Sequence, residues 1–155
     1  MLRRFLASVR SGVVKTFRCP ANLSVVHVLM TQLTFSWLLD DKGFTPTCVS
    51  SQPAPCPLAC VLIDDGGLNL ATTIQWIDVG LQQTVAVTNG DLACFEWGRE
   101  AWAATIEFDG VTVYSLHDET VCAKIELARF HNALSAWKRF LTSKPSENST
   151  ATVSI

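Results

Sequence analysis

Residues 37–46 contain the sharpest change of pattern in this chain of 155 residues. Apolar residues recur at helical spacing before this segment, and residues 40–43 then supply an acidic turn that ends in glycine. Pro46 has a fixed φ and disfavours helical backbone at the residue before it, so the chain is expected to be extended there. We therefore predict that a helix ends at the turn and that a strand over residues 44–50 follows.

The helix is predicted over residues 24–40 because its apolar side chains recur at intervals of three and four. Ser24 has a side chain suited to an N-cap. A strand over residues 32–39 is the alternative, although its alternation of apolar and polar residues is imperfect. Polar residues interrupt the ~18 apolar residues that a membrane span requires, so no span is predicted. The apolar positions are Val26, Leu29, Met30, Leu33 and Trp37.

Turn signals divide the rest of the chain into short segments. Prolines exclude helix from residues 51–57, and tight turns containing glycine are predicted at residues 64–67, 89–90 and 109–110. Alternating or continuous apolar runs between these turns are typical of strands. The sequence predicts strands over 58–63, 84–87, 92–97, 101–108, 111–116 and 121–127, a short helix within 70–82 and a closing helix over 128–142.

The closing helix is predicted to pack on the core through one side, because four large apolar residues recur at helical spacing. They are Phe130, Leu134, Trp137 and Leu141. With 48% apolar residues in the whole chain, length and composition favour a single α+β domain over residues 24–142. Residues 143–155 are polar and are predicted to form a flexible tail.

Residues 1–23 are interpreted as a basic amphipathic leader. Residues 1–39 contain five basic residues and no acidic one, and apolar residues lie broadly on one helical side of the first eighteen. These features are typical of a mitochondrial presequence, so we expect import into mitochondria. The alternatives are a membrane-surface helix and a start codon assigned too early, in which case Met30 begins a cytoplasmic protein.

The charge of the remaining chain restricts its partners. Residues 30–142 contain thirteen acidic and six basic residues, a net charge of −7. A domain with this charge repels nucleic acid and favours basic or neutral partners, so no direct nucleic-acid binding is expected.

Residues that could carry chemistry are few. Cys56 and Cys60, with Cys48 nearby, are the one group of soft metal ligands, but no histidine is spaced to complete a zinc site. We expect reduced thiols, and no metal or cofactor is predicted. Asp64, Asp65 and His117 could serve a small hydrolase or a metal-dependent enzyme. The motifs of P-loop, dinucleotide-binding, serine-hydrolase and zinc-protease sites are absent from the sequence.

Aromatic residues around Gly98 and Arg99 offer a candidate binding surface, because aromatic and arginine residues are enriched at binding hot spots. Phe95, Trp97 and Trp102 carry these rings. The equally weighted alternative is that all three rings belong to the core.

A family resemblance combines several of these segments. Trp37-Leu38-Leu39-Asp40, then Thr45-Pro46 and Val49, resemble the W-L-x-D-x(3–4)-T-P-x-x-V junction of the stringent starvation protein B (SspB) family. The segment at residues 67–70 is similar to that family's G-x-x-x-L-N-[IL] segment, and residues 95–98 lie where the family has an R-F-G-G strand. The resemblance covers roughly residues 24–120, and the closing helix at 128–142 is an addition to it.

The resemblance implies a non-catalytic adaptor that holds tagged substrates in a peptide groove and delivers them to a ClpXP-type AAA+ protease. It implies an N-terminal helix followed by a curved antiparallel β-sandwich, with homodimerisation through the helix at 24–40. The alternatives are a structural subunit of a larger mitochondrial complex and the small enzyme described above. The matching groove positions are Thr45, Pro46, Val49, Phe95, Trp97 and Gly98.

Overall fold

The computed structural model describes residues 31–118 and 120–155. The described residues form an α+β fold with two antiparallel sheets, which confirms the α+β class of the prediction. The leader predicted for residues 1–23 lies outside the described residues. The elements are β1 (Gln32–Asp40), β2 (Gly43–Ser50), α1 (Pro57–Ile63), α2 (Leu70–Thr88), β3 (Cys94–Gly98), β4 (Trp102–Glu107), β5 (Gly110–Ser115), β6 (Cys122–Ile125), α3 (Leu127–Leu141) and β7 (Thr150–Ser154).

The two sheets are joined by helices. The first sheet has the strand order β2-β1-β7, and the second has the order β3-β4-β5-β6. Helix α1 contacts β2 of the first sheet and β4, β5 and β6 of the second, and α3 contacts strands of both sheets as well. The core therefore lies around these helices, where the inner faces of both sheets bury their apolar residues. No helix in the described ranges is long and apolar enough to cross a membrane.

The predicted helix over residues 24–40 is wrong for residues 32–40, which form β1, and residues 24–30 lie outside the described residues. Leu33, Phe35 and Trp37 are buried and alternate with more exposed neighbours. Leu33 and Trp37 are four apart, a spacing that fits both a helical face and a strand face. Pairing with β2 on one side and β7 on the other selects the strand. Residues 32–40 therefore do not form part of the helix predicted to mediate dimerisation.

The region between the sheets holds two further corrections. The predicted strand over residues 58–63 is helix α1, which begins at Pro57, where a missing backbone N–H costs no helical hydrogen bond. The predicted strand over residues 84–87 is part of α2. Its Thr84 hydroxyl donates to the Gly80 carbonyl at 2.7 Å, and Gly90 follows the helix end at φ +80°. The glycine therefore terminates a helix rather than forming a hairpin.

The C-terminal segment is also more ordered than predicted. Residues 150–154 form β7 rather than a flexible tail, and Thr31 and Ile155 exchange two backbone hydrogen bonds of 3.1 and 2.8 Å. Val153 is paired with Leu33 on the inner face of the sheet. Strand β7 therefore pairs with the edge of β1 opposite β2.

The closing helix and the second sheet confirm the sequence predictions closely. Helix α3 buries all four predicted residues against the core. Strands β4 and β6 fall within the predicted strand segments, and β3 and β5 each extend one residue beyond theirs. A tight turn lies one residue earlier than predicted: Glu107 is paired with Gly110 across a loop of Phe108 and Asp109, and Gly110 begins β5.

Candidate functional site

A cavity of about 240 Å³ opens beside the first half of β2. Its walls come from β2, the end of α1, the α1–α2 loop, the start of α2 and the last two turns of α3. Segments that are far apart in sequence therefore meet around one space. The lining residues, which define the β2–α3 cavity, are Phe44, Thr45, Pro46, Leu62, Ile63, Asp65, Leu68, Leu70, Thr73, Trp137 and Leu141.

The α1–α2 loop shapes one side of the cavity. Asp65 Oδ1 accepts a hydrogen bond of 2.7 Å from the Gly67 amide, and Gly67 has a φ of +69° that side chains rarely tolerate. The Asn69 side chain then accepts from the Thr72 amide at 3.0 Å and caps α2. This loop places Leu68 at the mouth of the cavity and Thr73 in its wall.

Four apolar side chains around the cavity mouth are 38–45% exposed. We call them the apolar rim; they are Phe44, Ile63, Leu68 and Leu70. Leu39 is exposed as well and is paired with Phe44 across the β1–β2 hairpin, so it extends this surface. Contiguous exposed apolar groups around a concave space mark binding sites more often than scattered ones do.

Two polar atoms in the cavity wall have no hydrogen-bond partner. Thr73 is 5% exposed and Trp137 is 1% exposed, and neither Thr73 Oγ1 nor Trp137 Nε1 is paired. The Trp137 ring is held by Phe35, whose centroid lies 4.9 Å away in an edge-on arrangement. An unpaired buried donor costs about 1–3 kcal/mol relative to a paired one. Both side chains belong to the cavity lining, but these two atoms are themselves buried.

The structure separates the six predicted groove residues. Thr45 and Pro46 line the cavity, whereas Val49 is exposed further along β2. Phe95, Trp97 and Gly98 lie in β3 of the second sheet and are not part of the cavity lining. The predicted set thus divides into a pair at the cavity and a group elsewhere.

The aromatic residues of β3 and β4 pack against the core. Trp97 is almost fully buried, stacks on Trp76 with centroids 3.7 Å apart and donates its indole N–H to the Trp76 carbonyl at 3.1 Å. Phe95 and Trp102 are partly buried against the same core. Of the two interpretations of these rings, the structure favours the core.

Arg99 ties the β3–β4 loop to the α1–α2 loop. Its guanidinium lies 4.2 Å from the Trp76 ring centroid, and its Nη1 donates to the Asp65 carbonyl oxygen at 3.0 Å. Burial lowers the pKa of Arg99, while the negative charges of Asp64 and Asp65 raise it. The cation therefore acts as a structural contact, stacked on an aromatic face.

The Asp64 carboxylate and the His117 backbone, both from the predicted enzyme alternative, have structural partners. Asp64 Oδ2 accepts hydrogen bonds of 2.9 Å from the backbone amides of both Ala101 and Trp102. The His117 amide donates to Ser115 Oγ at 3.2 Å in the loop after β5. No group of three or more His, Cys, Asp or Glu in residues 31–118 and 120–155 is arranged to hold a metal ion.

Burial dominates the behaviour of the cysteines. Burial, together with a smaller effect of the nearby thiols of Cys56 and Cys60, raises the pKa of Cys48 to about 12. Burial also raises the pKa of Cys60. Thiols that stay protonated are poor nucleophiles and poor metal ligands. Cys48, Cys56, Cys60 and Cys94 are free, but Cys122 is disulfide-bonded, so the expectation of reduced thiols is wrong at that position.

No family model, curated protein or solved structure matches this chain. The site therefore has to be interpreted from its own geometry.

Sequence reasoning missed most of the cavity. Leu62, Thr73 and Leu141 attracted no functional interpretation, and Trp137 was predicted only as a core residue. Each has an ordinary helical position in the sequence, and only the packing of three helices against β2 brings them together. The detectable signals were the Thr45-Pro46 pair and the segment at residues 67–70, because both parts of the resemblance contribute to the cavity lining.

Proposed function

We propose that this protein is a non-catalytic peptide- or protein-binding module whose binding site is the β2–α3 cavity with its apolar rim. The observation that carries the proposal is the exposure of four large apolar side chains around a concave space. Such side chains are stabilised by burial, and a partner that covers them supplies it.

The geometry favours capture through side chains over strand addition to β2. Ser51 N donates to Gln32 O at 2.9 Å, which makes these two residues a hydrogen-bonded pair of the β1–β2 ladder. Because such pairs alternate along an antiparallel ladder, the backbone groups of Phe44, Pro46 and Cys48 point away from β1. Pro46 has no N–H to offer an added strand. A peptide is therefore expected to bind by inserting an apolar side chain into the cavity.

Charge around the site favours neutral or basic peptides. Asp65 lines the cavity, and Asp40 and Asp41 lie at the neighbouring β1–β2 turn, where the Thr45 hydroxyl donates to Asp40 Oδ2 at 3.4 Å. An acidic peptide meets like charge at this mouth, which lowers its association rate and affinity.

The resemblance to the SspB family supports a more specific version of the proposal. Of the quoted junction, Thr45 and Pro46 lie in the cavity lining. An adaptor would hold a tagged client here and deliver it to an AAA+ protease. Size fractionation of native lysate separates this version from the alternative of a structural subunit, because a subunit co-migrates with a large particle and an adaptor does not.

Replacement of rim residues tests the binding site. Ile63→Ser and Leu68→Ser each remove an exposed apolar side chain from the rim. Binding of an apolar peptide library or an unfolded model client, measured by fluorescence anisotropy, should weaken about tenfold, because each lost contact removes on the order of 1–2 kcal/mol. The melting temperature should change little, since both side chains are already exposed.

Phe108→Ser is the matched control. Phe108 is 76% exposed in the β4–β5 loop and does not line the cavity, so the substitution removes a comparable apolar group elsewhere. Its binding should equal that of the unmodified protein. Equal weakening in all three variants, or the absence of any peptide binding, would count against the proposal.

A further inference from the structure

We infer that the open edge of β7 pairs with β7 of a second copy of this chain, so that two three-stranded sheets join into one sheet of six strands. The inference goes beyond the peptide-binding function proposed above and does not depend on it, because β7 contributes no residue to the β2–α3 cavity. It is carried by the direction of the backbone groups of β7, by the absence of charge from this strand and by Pro46 at the other edge of the sheet.

One edge of β7 has no partner strand within residues 31–118 and 120–155, since the first sheet has the order β2-β1-β7. Thr31 and Ile155 exchange two backbone hydrogen bonds, and such hydrogen-bonded pairs alternate along an antiparallel ladder. Every second residue of β7 therefore directs its backbone N–H and C=O groups away from β1. These outward-directed residues are Thr150, Thr152 and Ser154.

Strand β7 lacks the features that prevent pairing at an edge. Proline, charged side chains and bulges protect the edge strands of natural sheets. The five residues of β7 include no proline and no ionisable side chain, and all of them are exposed except the half-buried Val153. Their register with β1 contains no bulge. The outward-directed backbone groups are therefore available to another strand.

The opposite edge of the same sheet is protected. In β2, Pro46 is one of the residues whose backbone groups point away from β1, and it has no N–H to donate to an added strand. When two copies join through β7, the strands left at the two ends of the sheet are both copies of β2. Each of these ends carries Pro46, so the sheet closes as a two-fold dimer instead of growing further.

The sequence of β7 suits pairing with itself. An antiparallel pair centred on Thr152 places Thr152 opposite its counterpart and Thr150 opposite Ser154 of the second copy. All three residues direct their backbone groups to the open edge, so each pair can exchange two N–H···O=C bonds. The facing side chains are small and carry hydroxyl groups, so no charge lies opposite a like charge.

Charge also favours this edge as the meeting point of two copies. Residues 30–142 carry a net charge of −7, so two copies repel one another over much of their surfaces. The outer face beside the edge is uncharged, and the Thr34 and Thr152 hydroxyl oxygens lie 3.5 Å apart on it. Contact through β7 therefore brings uncharged strands together.

Analytical ultracentrifugation of the full chain over a concentration series tests the inference. We expect reversible formation of a particle of twice the chain mass, and the amides of Thr150, Thr152 and Ser154 should exchange hydrogen more slowly as the concentration rises. A monomer at every concentration would overturn the inference. If those amides are protected in such a monomer, the chain's own residues cover the edge. Particles larger than a dimer would overturn the closure of the sheet by Pro46.

Thr152→Pro tests the edge directly, because it removes an N–H that points away from β1. The dissociation constant of the dimer should rise at least about tenfold. Thr152→Val is the matched control, since valine keeps the N–H and the shape of threonine, and it should dimerise like the unmodified protein. Circular dichroism shows whether each variant is folded. Equal dissociation constants for the two folded variants would overturn the inference.

Two double variants test the register and do not require proline to be tolerated. Thr150→Lys with Ser154→Lys places like charges opposite each other in the dimer, whereas Thr150→Lys with Ser154→Glu places opposite charges there. Within one copy the two positions are about 13 Å apart, so they interact little. The variant with glutamate should dimerise about tenfold more tightly than the variant with two lysines. Equal dissociation constants would overturn the antiparallel pairing centred on Thr152.

Discussion

The core on the side of the second sheet, around Trp97 and Asp64, is called the second-sheet side. It and the β2–α3 cavity each contain a buried tryptophan, but they differ in how their polar atoms are paired. On the second-sheet side, the Trp97 indole N–H donates to a carbonyl and Asp64 accepts from two backbone amides. At the cavity, neither Trp137 Nε1 nor Thr73 Oγ1 has a partner. The two regions therefore differ in hydrogen bonding as well as in the open space of the cavity.

The difference indicates a division of roles. Arg99 Nε and Nη2 are unpaired on the second-sheet side, but the guanidinium is stacked on Trp76 and bonded through Nη1. That side is held together by contacts that a substitution would break. The cavity side combines unpaired buried polar atoms with an exposed apolar rim, and the unpaired atoms cost stability.

The largest effect is expected from Asp64→Ala. Its loss leaves the amides of Ala101 and Trp102 without their acceptor, so the free energy of unfolding should fall by about 2–3 kcal/mol. Urea denaturation followed by tryptophan fluorescence measures the change. Asp65→Ala is the control, because its side chain accepts one exposed bond from the Gly67 amide and should cost less than about 1 kcal/mol. Similar decreases in the free energy of unfolding would show that the Asp64 hydrogen bonds contribute no more stability than the single Asp65 bond.

A smaller loss is expected from Gly80→Ala. A methyl group at Gly80 would lie 2.8 Å from Cε2 of Trp97, whose ring is fixed by stacking and by its hydrogen bond. Overpacking of this kind costs about 1–3 kcal/mol and outweighs the gain of up to about 1 kcal/mol in helix propensity. Thermal unfolding should show a lower melting temperature.

Gln82→Ala is the control for this prediction, because Gln82 is exposed on the same helix, and its replacement gains a little helix propensity without meeting a buried ring. Its melting temperature should remain near that of the unmodified protein. A Gly80→Ala variant more stable than this control would show that the second-sheet side is less tightly packed than the structure indicates.

The smallest effect, of opposite sign, is expected from Thr73→Val. Removing an unpaired buried hydroxyl should raise the free energy of unfolding by about 0.5–1 kcal/mol. Thr84→Val is the matched control on the same helix, because the Thr84 hydroxyl donates to the Gly80 carbonyl. That variant should lose about 0.5–1 kcal/mol. Chemical denaturation of both variants measures these changes in the free energy of unfolding. A decrease in Thr73→Val would mean that the Thr73 hydroxyl has a hydrogen-bond partner.

The sequence predictions succeeded where the local pattern was strong and failed where packing outweighed it. Helix α3 was predicted within one residue at each end, since its four large apolar residues share one face at helical spacing. Residues 84–87 were predicted as a strand because threonine and valine favour strands, but packing of α2 against α3 and the second sheet keeps them helical. Local preference of less than about 1 kcal/mol per residue is readily outweighed by such burial.

The candidate site was less predictable than the fold. Thr45, Pro46 and the segment at residues 67–70 were identified through a resemblance, whereas the rest of the rim and the unpaired atoms were not. A hydroxyl such as that of Thr73 carries no sign in the sequence of whether a partner will reach it. That information depends on three-dimensional distances between helices that are separated along the chain.

The sequence by itself determined the fold class, the extended conformation of β2, the second-sheet strands and the closing helix, because these follow from local periodicity, proline and glycine. Tertiary structure alone decided that residues 32–40 are a strand, since Leu33 and Trp37 fit either periodicity and pairing with β2 and β7 selects one. It also decided the cavity, because a concave surface depends on how α1, α2 and α3 pack beside β2.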